Sequence, residues 1–180
     1  MPWKSSSSRY GGVAIAIHWI TAVAILGMLI SGLAAERSTD AAGELTLLRA
    51  HAVTGVLVGL LTVLRIVWWL YADRRPPDQP GMPALQARAS RLVHGALYVV
   101  ILVMVGSGMA TLILTGANQQ LFGAAALPLP DFGTVLPFRT HDIVSKLLIA
   151  LLIGHIGAAL YHQFILRDRL LARMGLGLGR

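Results

Sequence analysis

The chain contains no cysteine among its 180 residues. That removes disulfides, thiolate metal sites, iron-sulfur clusters and c-type haem attachment in one step, so any cofactor must be held by nitrogen or oxygen. Charge is the second scarcity. Only 13% of residues are charged, against about 25% in soluble domains, while 56% are hydrophobic and the mean hydropathy is +0.69. The deficit is concentrated in four apolar runs, each reaching the ~18 to 20 residues needed to cross a bilayer. No repeat and no second domain is evident in the sequence.

The first run, 13–35, follows a basic stretch and ends in "SGLAAE", which invites a signal-peptide reading. Its apolar part exceeds the ~7 to 15 residues of a signal core, and it carries His18; we read it as a retained helix. The net charge of +7 does not imply nucleic acid, because the basic residues stand at the ends of apolar runs and not in a patch interleaved with aromatics.

The expected architecture is an all-α membrane protein, a single domain over 1–180 with spanning helices at about 12–34, 46–71, 92–115 and 140–166. Lys4 and Arg9 precede the first helix; Arg74, Arg75, Arg88 and Arg91 lie between the second and third; Arg167, Arg169, Arg173 and Arg180 follow the fourth. The other two loops hold Arg37, Arg49 and Arg139, offset by Glu36, Asp40, Glu44, Asp131 and Asp142. The positive-inside rule then places both termini in the cytoplasm of a multi-pass inner-membrane protein. Trp3, Tyr10, Trp68, Trp69, Tyr71 and Tyr161 read as an interfacial belt on that side. The outer loop 116–139 is long for a connection, and its Phe and Leu residues suggest a cap that folds back on the bundle.

All six histidines fall in or at the edges of these helices: His18, His51, His94, His141, His155 and His162. Ionisable groups are expensive inside a membrane and usually face a bundle interior, a cavity or a cofactor. At 100° per residue, His141, His155 and His162 share one stripe of the fourth helix. His141 and His155 stand ~21 Å apart along the axis at 1.5 Å per residue, a spacing that fits two stacked cofactors and not one metal centre. Imidazoles on facing helices suit bis-histidine haem b. In the outer half only His51 and His141 are available. In the inner half the choice stays open, since depth alone pairs His18 with His162 while His155 lies deeper.

The ordered segments "RYGGVAIAIHWI", "RAHAVTGVLVGLLTVLRIVWWL", "LVHGALYVVILVMVGSGM", "LFGAAALPLP", "THDIVSK" and "IGHIGAALYHQF" resemble the bacterial cytochrome b561 family over roughly 9–174. The resemblance implies a four-helix protein with two haem b groups, of a type that oxidises superoxide at the outer face and reduces ubiquinone. It implies His18 and His155 as ligands of the inner haem iron, and His51 and His141 as ligands of the outer one. His94 and His162 remain for a quinone carbonyl or a propionate, since imidazole is the side chain suited to move a proton near neutral pH. Arg65, about two turns inside the second helix, is a candidate propionate partner. Arg49 and Arg139 flank the outer ligands and Lys146 lies about one turn inside the outer end of the fourth helix; together they could neutralise propionates or steer an anion such as superoxide.

Two other readings share these features. One is a haem b membrane subunit passing electrons between quinone and a partner dehydrogenase or hydrogenase. The other is a histidine-lined proton or ion transporter, disfavoured because no inverted repeat or paired helix breaks are seen; a zinc carrier is weaker still, with no membrane carboxylate beside the imidazoles. In every case the surroundings are membrane lipid, with a quinone, superoxide or redox protein as partner and no nucleic acid.

Overall fold

A computed structural model describes residues 2–79, 81–123 and 128–177. Arg180, Pro80 of the Pro-rich connector and positions 124–127 of the outer loop lie outside the described residues. Four helices are long and apolar enough to cross a membrane: α1 (Gly12–Glu36), α2 (Ala41–Val67), α3 (Ala84–Thr115) and, after the short α4 (Asn118–Phe122), α5 (Leu136–Tyr161). A last short helix, α6 (Leu170–Arg173), follows. No strand occurs among the described residues. Four passes put both termini at one end of the bundle, here called the terminal end.

The helices run past the apolar stretches that announce them. The starts at 41, 84 and 136 precede the expected 46, 92 and 140, because hydropathy marks where a helix meets hydrocarbon and not where its hydrogen bonding begins. Asp40 caps α2 by accepting from the Gly43 amide at 2.8 Å and from Ala42 at 3.4 Å, which satisfies donors the helix cannot pair itself. The start of α3 carries Arg88 and Arg91, the latter paired with exposed Asp78 at 2.6 Å. Gly116, at φ 74°, closes α3 in the left-handed conformation that favours glycine. Both α2 and α5 end in a π-helical turn, at Trp68–Ala72 and His162–Leu166.

Packing proceeds from α1 to α2, α2 to α3 and α3 to α5. Hydrocarbon offers no hydrophobic drive between such helices, so close approach depends on small residues. Gly55 of α2 faces the Met28 methyl, and Gly59 faces Val105 of α3; a Cβ at these positions would stand 3.1 and 3.0 Å from those side chains. A buried aliphatic cluster of Ile25, Val58, Val100, Ile101 and Leu148 draws on all four spanning helices. Leu148 is seven residues from both His141 and His155, and Val58 is seven from both His51 and Arg65. The cluster is therefore a layer between two levels of polar residues, each ~10 Å away at 1.5 Å per residue.

Both ends are covered. Away from the termini, Leu121 of α4 is 2% exposed, and Arg49 donates to the Leu121 carbonyl at 2.6 Å and to that of Gln120 at 3.3 Å. Phe132 stacks on Phe138. The expected fold-back cap is thus present over the described part of the loop. At the terminal end, Arg173 donates to Gln79 Oε1 at 3.1 Å, to the Pro77 carbonyl at 2.7 Å and to the Ser8 carbonyl at 3.3 Å. Trp19 Nε1 donates to the Met174 carbonyl at 2.9 Å. One arginine and one indole therefore tie the N-terminal segment, the α2–α3 connector and the C-terminal segment into a second cover.

Candidate functional site

The histidines meet at two levels. Towards the loop end, His51 of α2 faces His141 of α5 with ring centres 6.1 Å apart. Towards the terminal end, His18 of α1 faces His155 of α5 at 6.3 Å. Imidazole–metal bonds are about 2 Å, and a ring centre lies about 1 Å beyond its nitrogen. Two imidazoles sharing one metal between them therefore have centres about 6 Å apart, and both pairs fit a bis-imidazole iron.

The backbone carbonyls beside the loop-end rings decide which nitrogen is free. His51 Nδ1 donates to the Met28 carbonyl at 3.1 Å and lies 3.3 Å from Ser31 Oγ. His141 Nδ1 donates to the Met104 carbonyl at 3.0 Å and lies 3.1 Å from Ser107 Oγ. A carbonyl can only accept, so the ring proton is on Nδ1 and Nε2 keeps its lone pair, the arrangement a metal ligand needs.

The terminal-end pair is built differently. An Arg65 Nη lies 3.0 Å from His18 Nδ1. A guanidinium only donates, so Nδ1 accepts and the proton of the neutral ring is on Nε2. Ligation through His18 Nε2 requires Arg65 to leave that bond. Arg65 Nε is buried without a partner, and the guanidinium lies 6.0 Å from the centre of the Tyr98 ring, which Arg75 also approaches at 5.8 Å. An anionic group is what this pair of guanidiniums lacks among the described residues.

His94 stands beside this level, its ring 5.1 Å from that of His155, too close for a metal between them. Its Nδ1 donates to the Ser90 carbonyl at 2.6 Å. His162 sits in the π-helical turn after α5, is 6% exposed and binds the Asp168 carboxylate through Nδ1. His162 keeps α-helical backbone angles and is taken up by Asp168, and the ring facing His18 is that of His155 and not of the shallower histidine that depth alone selects.

Of the three cations at the loop end, Lys146 is in an i,i+4 ion pair with Asp142 at 2.9 Å. Arg49 and Arg139 make no ion pair among the described residues. No cluster of three or more His, Cys, Asp or Glu placed to hold a metal ion is found among the described residues. Trp19 packs edge-on against His18 while its indole N–H ties down the C-terminal segment.

The sequence reading missed Met28, Ser31 and Gly32, and their counterparts Met104, Ser107 and Gly108. The available signal was the string Met-x-x-Ser-Gly, which occurs in both the first and third spanning helices.

Four spanning helices with imidazoles paired across the bundle define a class, the multi-pass membrane cytochromes. Comparison with known proteins makes this particular: residues 9–177 match the family model for prokaryotic cytochrome b561, and the chain belongs to that family. It is similar to cytochrome b561 homolog 1 of Escherichia coli K12, 28% identical with 93% of this chain and 97% of that protein covered. It is equally similar to homolog 2 of the same organism, 28% identical with 97% and 95% covered. Cytochrome b562 of Cereibacter sphaeroides is 30% identical, with 92% and 94% covered. No solved structure matches the chain. The protein is a multi-pass protein of the bacterial inner membrane that transfers electrons through haem b.

Proposed function

We infer that the protein carries two haem b groups in series, takes single electrons from superoxide at the periplasmic face and delivers them to ubiquinone. The observation that supports this best is the pair of histidine couples at opposite ends of the bundle, both at a separation suited to one iron. In this reading His51 and His141 hold the outer haem, and His18 and His155 the inner one. The loop end faces the periplasm, because arginine and lysine concentrate at the terminal end.

Haem supplies one-electron redox chemistry; the chain's own residues orient, insulate and manage charge. Arg65 would hold an inner propionate in place of His18 Nδ1, and leaving that ring would free His18 to serve as a ligand while giving the guanidinium an anionic partner. Arg49 and Arg139 draw an anion to the outer face, and Lys146 contributes less because Asp142 neutralises it. Two superoxide anions yield two dioxygen molecules and two electrons; one quinone takes those electrons and two protons to become quinol. His94 and His162 stand at the inner end, where the protons enter, and His162 with Asp168 forms a pair able to exchange one.

The test is a dithionite-reduced minus oxidised spectrum of the detergent-purified protein with a pyridine haemochrome count, followed by superoxide-driven reduction of a soluble ubiquinone analogue. Two low-spin haem b per chain and quinol formation abolished by superoxide dismutase are expected. One haem per chain refutes the two-site assignment. Two haems with no response to superoxide move the donor to a partner protein.

A further inference from the structure

The histidines are carried by two copies of one helical hairpin. Residues 18–34 of α1 align without a gap on 94–110 of α3 and are identical at eight of the seventeen positions, including His18/His94, Met28/Met104, Ser31/Ser107 and Gly32/Gly108. In the second helices, α2 and α5, an offset of 90 sets Arg49 against Arg139, His51 against His141, Leu57 against Leu147, Leu61 against Leu151 and Arg65 against His155. The expectation of no internal repeat is thereby corrected. α1 and α3 run in the same direction, so the repeat is parallel, not the inverted kind typical of many transporters.

Aliphatic helices match easily by chance, so the stronger evidence is that matched residues make matched contacts. Ser31 Oγ donates to the Met28 carbonyl at 3.1 Å, and Ser107 Oγ to that of Met104 at 3.1 Å. Each of these carbonyls also accepts from the histidine of the following helix, at 3.1 and 3.0 Å. A Cβ on Gly32 would stand 3.2 Å from His51 Cε1, and one on Gly108 would stand 3.3 Å from His141 Cε1. Even the buried layer obeys the match, since Ile25 pairs with Ile101 and Val58 with Leu148.

We propose that Met28, Ser31 and Gly32, and equivalently Met104, Ser107 and Gly108, are positioning residues for the outer haem. Each set seats one imidazole on the backbone of the preceding helix, holds its proton on Nδ1 and, by glycine, leaves room for the ring. They act through His51 and His141, and the proposal rests on the assignment of those two residues as the outer ligands. The inner level has no such symmetry. There the copies have diverged, so that Arg65 occupies the place equivalent to His155, and the His18 ring meets a guanidinium where the outer rings meet carbonyls. The two outer ligands are therefore interchangeable in character, and the two inner ones are not.

The experiment uses the full-length holoprotein and reads low-spin haem signals by electron paramagnetic resonance, together with a redox titration resolving the two haems. Gly32→Ala and Gly108→Ala, on different helices, are expected to disturb the same signal, the one lost in His51→Ala, and to leave the other unchanged. Ser31→Ala and Ser107→Ala, which keep the fold's volume, are expected to shift that haem's potential in the same direction, upwards, as the imidazole donor weakens. Gly27→Ala and Gly106→Ala are expected to be silent, because a Cβ there meets nothing within 4 Å and the opposite copies already carry Val103 and Ile30 at those positions. Glycine and serine variants that leave both signals in place, or that disturb different signals, overturn the proposal even where His51→Ala removes one haem. A His51→Ala protein retaining both signals overturns the ligand assignment, and the positioning role with it.

Discussion

Replacing Arg65 by glutamine should move two properties of the protein in opposite directions. Without haem, the guanidinium is a half-buried cation bonded through an Nη to the His18 ring and lying against Tyr98, with its Nε buried and unpartnered. An orphaned buried donor costs about 1–3 kcal/mol, so Arg65→Gln should stabilise the apoprotein by an amount of that order. With haem bound, the same guanidinium is taken to pair with an inner propionate in a low dielectric. Breaking such a pair costs about 3–5 kcal/mol when one partner is left buried and alone, and a fraction of that survives where the propionate reaches water. A loss of about 3 kcal/mol corresponds to roughly a 10²-fold weaker inner-haem affinity. The assays are thermal unfolding of the apoprotein in detergent and transfer of haem to an excess of a haem-scavenging protein, followed by absorbance. Faster loss of one haem, together with an apoprotein that melts higher, is the expected outcome. Unchanged haem loss with a less stable apoprotein would refute the reasoning and leave Arg65 as a lipid-anchoring residue.

Four further outcomes follow from the geometry. His141→Ala should remove the outer haem and preserve the spectrum of the inner one, read by the haem count and the reduced-minus-oxidised spectrum; an unchanged two-haem count would sink the outer pairing. His162→Ala should leave both haems in place while slowing quinol formation, whereas His155→Ala should remove the inner haem, and the reverse pattern would restore the pairing by depth. Gly59→Ala forces a Cβ to 3.0 Å from Val105 and should cost about 1–3 kcal/mol by overpacking, seen as a lower unfolding midpoint in detergent. Asp73 lies outside the spans; burial alone would raise its carboxyl, but hydrogen bonds led by those from the Ser5 hydroxyl and amide outweigh that and hold it below the usual carboxylate range. A depressed folded pKa gives stability that is present above the unfolded value and lost as pH falls through the folded one. Strong acid should therefore release residues 2–11, detected by amide hydrogen exchange. Asp73→Asn should expose Arg9 to trypsin at neutral pH, and full resistance would count against the tie.

What could be read from the sequence depended on how local the cause was. The four spans and the membrane setting follow from residue type alone, because hydrocarbon excludes charge wherever a helix crosses it. The histidine levels follow from helical spacing within α5, where His141 and His155 keep one face over fourteen residues. Helix ends did not follow, since Asp40 and the Arg88–Arg91 stretch are polar and continue the backbone pattern beyond the apolar signal. The choice among inner histidines turned on contacts between distant segments, His155 facing His18 across the bundle and His162 engaged by Asp168 of the C-terminal segment, which the spacing along one helix does not encode. The Arg65–His18 contact and the tie through Arg173 join residues 47 and up to 165 positions apart, and no periodicity within one helix reports them. The Met-x-x-Ser-Gly repeat was present in plain letters but hidden among aliphatic residues, and gained meaning only when both copies were found holding a ring.

The aliphatic layer of Ile25, Val58, Ile101 and Leu148 has a further consequence for bioenergetics. The two histidine levels stand ~21 Å apart along the axis at 1.5 Å per residue, and an electron crosses the saturated hydrocarbon between groups held there by tunnelling, with no carrier on the way, whereas a proton moves only along polar groups or water. The layer therefore acts as a filter by particle: current can pass between the two ends of the bundle while the proton gradient across the same membrane stays intact. Protons consumed at one face must be drawn from the water at that face, so electron flow through the protein adds to the transmembrane gradient or draws on it according to which face holds the acceptor.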